Sequence, residues 1–385
     1  MLDALKDSNV PSCETVIKFL ARNPAQPETV STMKPTILLL AAAAATGSNA
    51  ALTYVGADWS SVIVEERRGV IYKDSSGKAA PLEQILKASG MDTVRQRVWV
   101  DPTNGDYGTD YKIKLAQRAK AAGLSVYVNF HYSNSWADPG KQYAPTGWPT
   151  EIGALATKLY DYTKDVCDRF QAAGIQPSIV SIGNEIRSGL LWPSGRTSNF
   201  ANVARLLKAA SRAVKESSLR PQPKIMVHLD NGWDWNAQRS WYTSLLSSNG
   251  GFALDDFDQI GVSYYPFYGS GATLAALKSS LANIAKQWPG KDVIVAEVNW
   301  PQQCSRAGSF PSDLRSIPFS AAGQTQYLKS VAGILEGLQG VNTTGLFYWE
   351  PAWLGNAGLG SSCESNVMFT RDGTALSSMA VFGEI

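Results

Sequence analysis

An eightfold alternation limits the folds open to this chain more than any other feature. Short β-branched or aromatic runs recur from Thr53 onward: TYVGADW (53–59), TVRQRVWV (93–100), SVYVNFHY (125–132) and SIVSIGNE (178–185). Four more follow, KIMVHLDN (224–231), QIGVSYYPF (259–267), DVIVAEVNW (292–300) and GLFYWEPAW (345–353). Between them lie stretches with apolar residues at helical spacing, such as NFANVARLLKAASRAVKES and QTQYLKSVAGILEGLQG. Gly90, Gly123, Gly174 and Gly340 close such stretches, where a left-handed residue turns a helix into the next strand. Eight strand–helix units with longer strand-to-helix loops predict one α/β domain over residues 51–385, a (β/α)8 TIM barrel. The helices of the first unit (PLEQILKASG) and the last (SSMAVFGEI) are weak. An open doubly wound sheet would need a glycine-rich phosphate turn after its first strand, and GADWSSVIVEE is not one.

Residues 1–50 stand apart. No helical or strand period runs through 1–32, and then MKPTILLLAAAAATGSNA (33–50) has the anatomy of a secretory signal. Lys34 gives the basic start, Ile37–Ala45 the apolar run, and Ser48 and Ala50 the small residues before a cut. The run is shorter than the about 20 residues that span a bilayer. Met33 is therefore expected to be the true start, with 1–32 a mis-started segment, 33–50 a signal peptide and the mature protein extracellular. Net charge is +2 with acids and bases interspersed, which gives no basis for a nucleic-acid or membrane partner. Export governs the cysteines. Cys13 leaves with the leader, Cys304 and Cys363 sit in Gly/Ser-rich loop sequence and are expected to pair, and Cys167 reads as a buried small hydrophobe. The sequon at Asn342 (NTT) is a glycosylation site for an exported chain. No zinc, calcium-hand or phosphate-loop spacing occurs, so neither a metal nor a cofactor is expected.

Barrel strands turn alternate side chains inward, and active sites lie at their C-terminal ends. With Glu185 inward, Gly183, Ser181 and Ile179 join it, while Ile182 and Val180 face the helices. With Glu297 inward, Ile294 and Ala296 are left for the helices. The same phase on the other strands brings Asp58, Arg97, His131, His228, Asp230, Tyr265 and Trp349 to the mouth. Taken singly, Asp58 or Arg97 suits a structural ion pair, and a strand-end histidine suits a hydrogen-bonded core. The tryptophans argue for more. Of 12, those at 59, 99, 136, 148, 192, 233, 235, 300, 349 and 353 fall near strand C-termini or in the following loops, leaving Trp241 and Trp288 on helical stretches. A rim of indoles tipped with carboxylates, histidine and arginine suits a polymer of sugars.

Two carboxyls flanking a glycosidic bond hydrolyse it. At a separation of roughly 5–5.5 Å one attacks the anomeric carbon and the other protonates the leaving oxygen; a wider gap admits a water and inverts the centre. Glu185 and Glu297 close strands on opposite sides of a barrel, so their side chains are expected to converge over its axis at the short distance. Asn184 offers an amide donor to the sugar 2-hydroxyl, and Tyr265 a hydroxyl to Glu297. Arg97 is expected to favour the ionised form of Glu297.

Residues 51–385 resemble glycoside hydrolase family 53, the arabinogalactan endo-β-1,4-galactanases, within the clan A retaining enzymes. The segments that carry the likeness are YVGADWSS, RQRVWVDP, VNFHYSNSWADPGKQ, SIGNEIRSGLLWP, HLDNGWDW, GVSYYPFYG, AEVNWP and LFYWEPAW, which cover all eight strand ends. The resemblance implies endo-acting, retaining hydrolysis of β-1,4-galactan, a pectin side chain, with Glu185 as acid/base and Glu297 as nucleophile. It implies a cleft lined by Asp58, Arg97, His131, Asn184, His228, Asp230, Trp233, Tyr265, Trp300 and Trp349, in a monomer. Bacterial relatives hold calcium after the seventh strand; Cys304 and the lack of an acidic cluster there resemble the fungal branch instead. Two alternatives stay open on the residues alone. A clan relative cutting mannan, xylan or glucan would share both glutamates, and a non-catalytic carbohydrate-binding barrel would be expected to lack one.

Overall fold

Each of the eight runs forms a strand, and the strands close in chain order into a parallel barrel. They are β1 (Tyr54–Asp58), β2 (Thr93–Val98), β3 (Ser125–Phe130), β4 (Ile179–Ser181), β5 (Lys224–Leu229), β6 (Gln259–Tyr264), β7 (Asp292–Val298) and β8 (Thr344–Tyr348). The computed structural model describes residues 51–305 and 310–385; the leader expected over 1–50 lies outside the described residues. Around the barrel run α1 (Val62–Arg67), α2 (Leu82–Ala88), α3 (Thr109–Ala121), α4 (Ile152–Ala172), α5 (Phe200–Glu216), α6 (Trp235–Leu246), α7 (Leu274–Gln287) and α8 (Ala321–Glu336). Both α1 and α2 fall between β1 and β2. After β8 the chain ends on a 3-10 segment, Ser377–Gly383, whose Ser378 hydroxyl donates to Gln324 of α8 at 2.7 Å.

Local chemistry sets where the long helices begin. Glu151, Asn199, Asp234, Thr273 and Ser320 each turn a side-chain oxygen onto free backbone N–H groups at the starts of α4 to α8. Such caps are worth about 1 kcal/mol each. α5 then buries one stripe, Val203, Leu206, Leu207, Ala210 and Val214, at the spacing that keeps one helix face on the sheet. Gly123 and Gly174 end α3 and α4 with φ of +73° and +74°, backbone that other residues adopt only at a cost.

The barrel interior has an apolar floor of Tyr127, Ile179, Met226, Ile294, Ala296 and Phe347, with Tyr54 packed against it. Val293, Val295 and Val298 instead join the outer core between strands and helices. The expectation that Ile294 and Ala296 face the helices is therefore corrected. The cause is a β-bulge. Val262 of β6 pairs with Val295, but Ser263 pairs with Glu297, so Ala296 is an extra residue; against β8 the register likewise slips between Val295 and Val298. A bulge re-aims the residue after it. Regular pleating would put Glu297 among the helices, and the bulge returns it to the mouth.

β4 departs from expectation too. Its ladder holds only Ile179–Ser181, because Gly183 takes φ +134° and Glu185 sits in left-handed backbone at φ 50° and ψ 49°. Tyr132, Asn231 and Glu350, just past the ends of β3, β5 and β8, share that conformation with φ of 49°, 50° and 48°. Left-handed backbone costs a non-glycine residue about 1–2 kcal/mol, and such strain gathers where side chains must be presented to a ligand.

Cys304 and Cys363 form a disulfide with S–S 2.06 Å, tying the loop after β7 to the loop after β8, and Cys167 is free and buried in α4. Asn342 is exposed in the turn before β8. Among the described residues no helix is long and apolar enough to cross a membrane.

Candidate active site

Above the apolar floor lies a charged layer built around Arg95, whose guanidinium is wholly buried. Its Nη1 donates to Asp58 Oδ2 at 2.7 Å, and its Nη2 to Glu297 Oε1 at 2.6 Å and Asn184 Oδ1 at 2.9 Å. Asn129 Nδ2 donates to the same Asn184 oxygen at 2.9 Å, and Asn184 Nδ2 donates to the Ala137 carbonyl at 2.8 Å. One amide hydrogen of Asn184 stays uncommitted. Tyr265 donates its hydroxyl to Glu297 Oε2 at 2.8 Å, so both oxygens of this carboxyl accept a hydrogen bond.

Over this layer opens a cleft of about 620 Å³ at the C-terminal ends of the strands. Glu185 and Glu297 both line it, with Asn184, Asp230, Ser263 and Tyr265 between and around them. His131, Trp136, Trp349 and Trp353 make an aromatic wall, while Arg187, Asn231, Tyr268, Asn356 and Gly360 border the remainder. Trp136 stacks on Trp353 with ring centres 6.0 Å apart and meets Trp349 edge-on at 6.1 Å. A carbohydrate ring, apolar on its faces and hydroxylated at its rim, matches such a surface.

The two carboxyls differ in setting. Burial drives the Glu185 pKa well above the usual carboxylate range, and the charges of Glu297 and Asp230 push the same way against a hydrogen bond from Ser263. Burial also raises Glu297, but the Arg95 charge and the Tyr265 hydroxyl draw it back. Glu297 is therefore the first of the pair to ionise, and Glu185 keeps its proton. Asp58, despite burial, is held below its ordinary value by Arg95 and Arg97. Burial, then the charges of Arg97 and Arg95, keep His131 neutral. Its Nδ1 accepts from the Ala137 N–H at 3.0 Å, which leaves Nε2 as the protonated nitrogen.

The model of the family described as glycosyl hydrolase family 53 matches residues 54–382. The chain belongs to glycosyl hydrolase family 53. An arabinogalactan endo-β-1,4-galactanase from Thermothelomyces thermophilus is 60% identical over 336 residues, 87% of this chain and all of that relative. One of the same name from Humicola insolens is 58% identical over the same shares of both chains. A solved structure from a study of two fungal β-1,4-galactanases matches with a TM-score of 0.85 at 60% identity, over 87% of this chain and all of that one.

In this family 53 chain the residues expected at the cleft divide by depth. Glu185, Glu297, His131, Asn184, Asp230, Tyr265 and Trp349 border it. Asp58, Arg97 and His228 do not, because alternate side chains point inward at every level of a strand and the upper cover the lower; Trp233 and Trp300, past the ends of β5 and β7, pack against loop backbone instead. Asp58 lies under Arg95. His228 lies beneath Ser263, its Nε2 2.9 Å from the Ser263 hydroxyl, and burial with the Arg95 charge keeps it neutral. Trp300 is wholly buried against Tyr327 with ring centres 4.7 Å apart, its Nε1–H donating to the Pro318 carbonyl at 3.0 Å. Trp233 packs beneath the Gly269–Gly271 backbone. Arg97 is walled in behind Trp136 and pairs with Glu350; its charge favours the ionised form of Glu297 as expected, but the arginine that contacts Glu297 is Arg95.

The indole rim is narrower than expected. Trp136, Trp349 and Trp353 line the cleft, whereas Trp59 is buried under Arg118 and Trp235 opens α6 against Trp288. Arg95 escaped notice although it shares the inward phase of Arg97 and pairs in register with Asp58. Ser263 shares the phase of Tyr265. Glu350 is out of phase with Trp349, and only left-handed backbone turns it inward, so no pattern announced it. Among the described residues no cluster of three or more His, Cys, Asp or Glu is placed to hold a metal ion; the loop after β7 includes 306–309, which lie outside them.

Proposed function

We propose that this chain is a secreted arabinogalactan endo-β-1,4-galactanase that cuts the β-1,4-galactan side chains of pectin with retention of configuration. One observation carries the mechanism: a single cleft holds two carboxyls in opposite settings, Glu297 gripped by Arg95 and Tyr265, and Glu185 half-buried in the cleft wall, where desolvation and the charges of Glu297 and Asp230 favour its protonated form. In the first step the Glu297 carboxylate attacks the anomeric carbon. The bond to the leaving galactosyl oxygen breaks, and that oxygen takes the Glu185 proton. In the second, water attacks the same carbon from the vacated side, gives its proton to Glu185 and releases Glu297. The spare hydrogen on Asn184 Nδ2 serves the 2-hydroxyl of the reacting sugar, a contact that tightens in the transition state. Neutral His131 offers its Nε2–H to a sugar hydroxyl.

The names and 60% identity of the relatives support galactan as substrate, and the sequence of 33–50 supports export. Exposure of Asn342 is compatible with a glycan there. A panel of galactan, mannan, xylan and cellulose, assayed for reducing ends, tests the substrate: release from another polymer with none from galactan overturns it. Proton NMR of the first product tests the stereochemistry, with the β-anomer expected.

A further inference from the structure

A buried ion pair that touches neither Glu185 nor Glu297 stands behind the aromatic wall. Glu350 is 1% exposed, and its Oε1 accepts from Arg97 Nη1 at 2.5 Å and from the Ser61 hydroxyl at 2.8 Å. The Ser61 oxygen also accepts from Arg97 Nη2 at 3.0 Å. Thus held, the guanidinium lies over several rings, its carbon 4.4 Å from the centre of Trp136 and 4.5 Å from that of Tyr107, with Trp353 at 5.3 Å. Trp136 also borders the cleft, where Trp349 and Trp353 join it. The same glutamate grips the wall through the backbone: it follows Trp349, and its carbonyl accepts from the Trp353 N–H at 3.3 Å. Left-handed backbone at Glu350, φ 48°, lets its side chain turn inward directly after Trp349.

We infer that Glu350 is a positioning residue that, through Arg97, sets the angle of the Trp136–Trp353 surface on which the sugar chain lies. An indole on a peripheral loop otherwise has only soft contacts to fix its tilt, and a cation on its hidden face supplies a directional one. Neither Glu350 nor Arg97 borders the cleft, and Arg97 reaches Glu297 only through its charge, so the pair acts chiefly on binding. The inference rests on the proposed glycan-hydrolase reading for the nature of the ligand.

The test is steady-state kinetics on galactan with Glu350→Gln, Trp136→Ala and the double variant. Glu350→Gln keeps an acceptor for Arg97 but not the charge, and is expected to raise KM about fivefold to tenfold with kcat within about twofold, the mark of lost uniform binding. In the Trp136→Ala background the same change is expected to do nothing further, because the surface it tunes is gone. An unchanged KM, a loss confined to kcat, or effects that multiply in the double variant would overturn the inference. Should Glu350→Gln not fold, Ser61→Ala removes one hydrogen bond from each partner without touching charge; the same KM shift, smaller, supports the inference, and no shift overturns it. If the unaltered protein releases nothing from galactan, the functional reading fails first. The polysaccharide it does cleave then serves for the same kinetics.

Discussion

Glu185 and Glu297 carry similar carboxyls and acquire different duties from what surrounds them. Both limbs of the pH profile follow. Activity falls on the acid side as Glu297 takes a proton, and on the alkaline side as Glu185 loses its own; burial places both above the roughly 4.3 of a free glutamate. Asp230 is one of the charges that raise Glu185, so Asp230→Asn is expected to move the alkaline limb of kcat/KM downward, read from a pH series. Stability follows with a definite sign. A carboxyl raised in the folded state favours folding at low pH and loses that favour as pH climbs through its folded value. Glu185→Gln, neutral throughout, is therefore expected to raise the melting temperature at pH 7 by about 1–3 °C while abolishing most turnover. The gain should vanish at low pH, where Glu185 is protonated anyway; calorimetry at both values checks it. Glu297→Gln differs, because it leaves Arg95 short of a charge: turnover should fall at least about a thousandfold, as expected for a nucleophile without a substitute, with oligosaccharide binding retained.

Neither of the two proposed catalytic side chains owes its direction to the pleat of its strand. Glu297 follows a bulge at Ala296, and Glu185 rides on a left-handed turn beyond β4. Deleting Ala296 removes the extra residue, and because Val295 faces the helices, Glu297 then takes the next, inward place, still opposite Ser263. The expected result is a folded barrel by circular dichroism that retains measurable turnover, and a folded deletion with none would refute the phase assigned to Glu297. The same irregularities explain what the sequence could disclose. Eight strands and their order were legible because a period of two against a period of 3.6 is a property of each segment alone. A bulge is a relation between neighbouring strands, visible only once Ser263 is known to sit opposite Glu297. Hence Glu297 was placed at the mouth by a phase that misassigned Ile294 and Ala296. Depth was illegible for a related reason. Asp58, His228 and Trp300 obey the inward or rim pattern, yet what covers them comes from other strands and loops, so position along one segment cannot separate floor from surface.

The barrel and its loops divide the work of the molecule. Strands hold Arg95, Glu297 and the apolar floor in a closed hydrogen-bonded frame, while much of the far wall of the cleft comes from the long loop after β8. That loop contributes Asn356, Leu359 and Gly360, and its carbonyl at Gly360 accepts the Tyr268 hydroxyl at 3.3 Å from the loop after β6. Cys363 anchors it to Cys304 across 59 residues of chain. Closing a loop of that length in the unfolded state is worth about 2–4 kcal/mol. The Cys304→Ser, Cys363→Ser double variant is therefore expected to unfold at lower urea concentration with that loss of stability. Its kinetic signature separates frame from wall. Freed of its anchor, the loop presents its residues less often in register with the sugar chain, so KM should rise. Arg95 and Glu297 stand on barrel strands and Glu185 on the short turn after β4, none of them on this loop, so kcat should stay within about twofold at temperatures where the variant is folded. A fall in kcat at unchanged KM would mean that the bridge reaches the reacting groups, and the separation of scaffold from substrate wall would have to be abandoned.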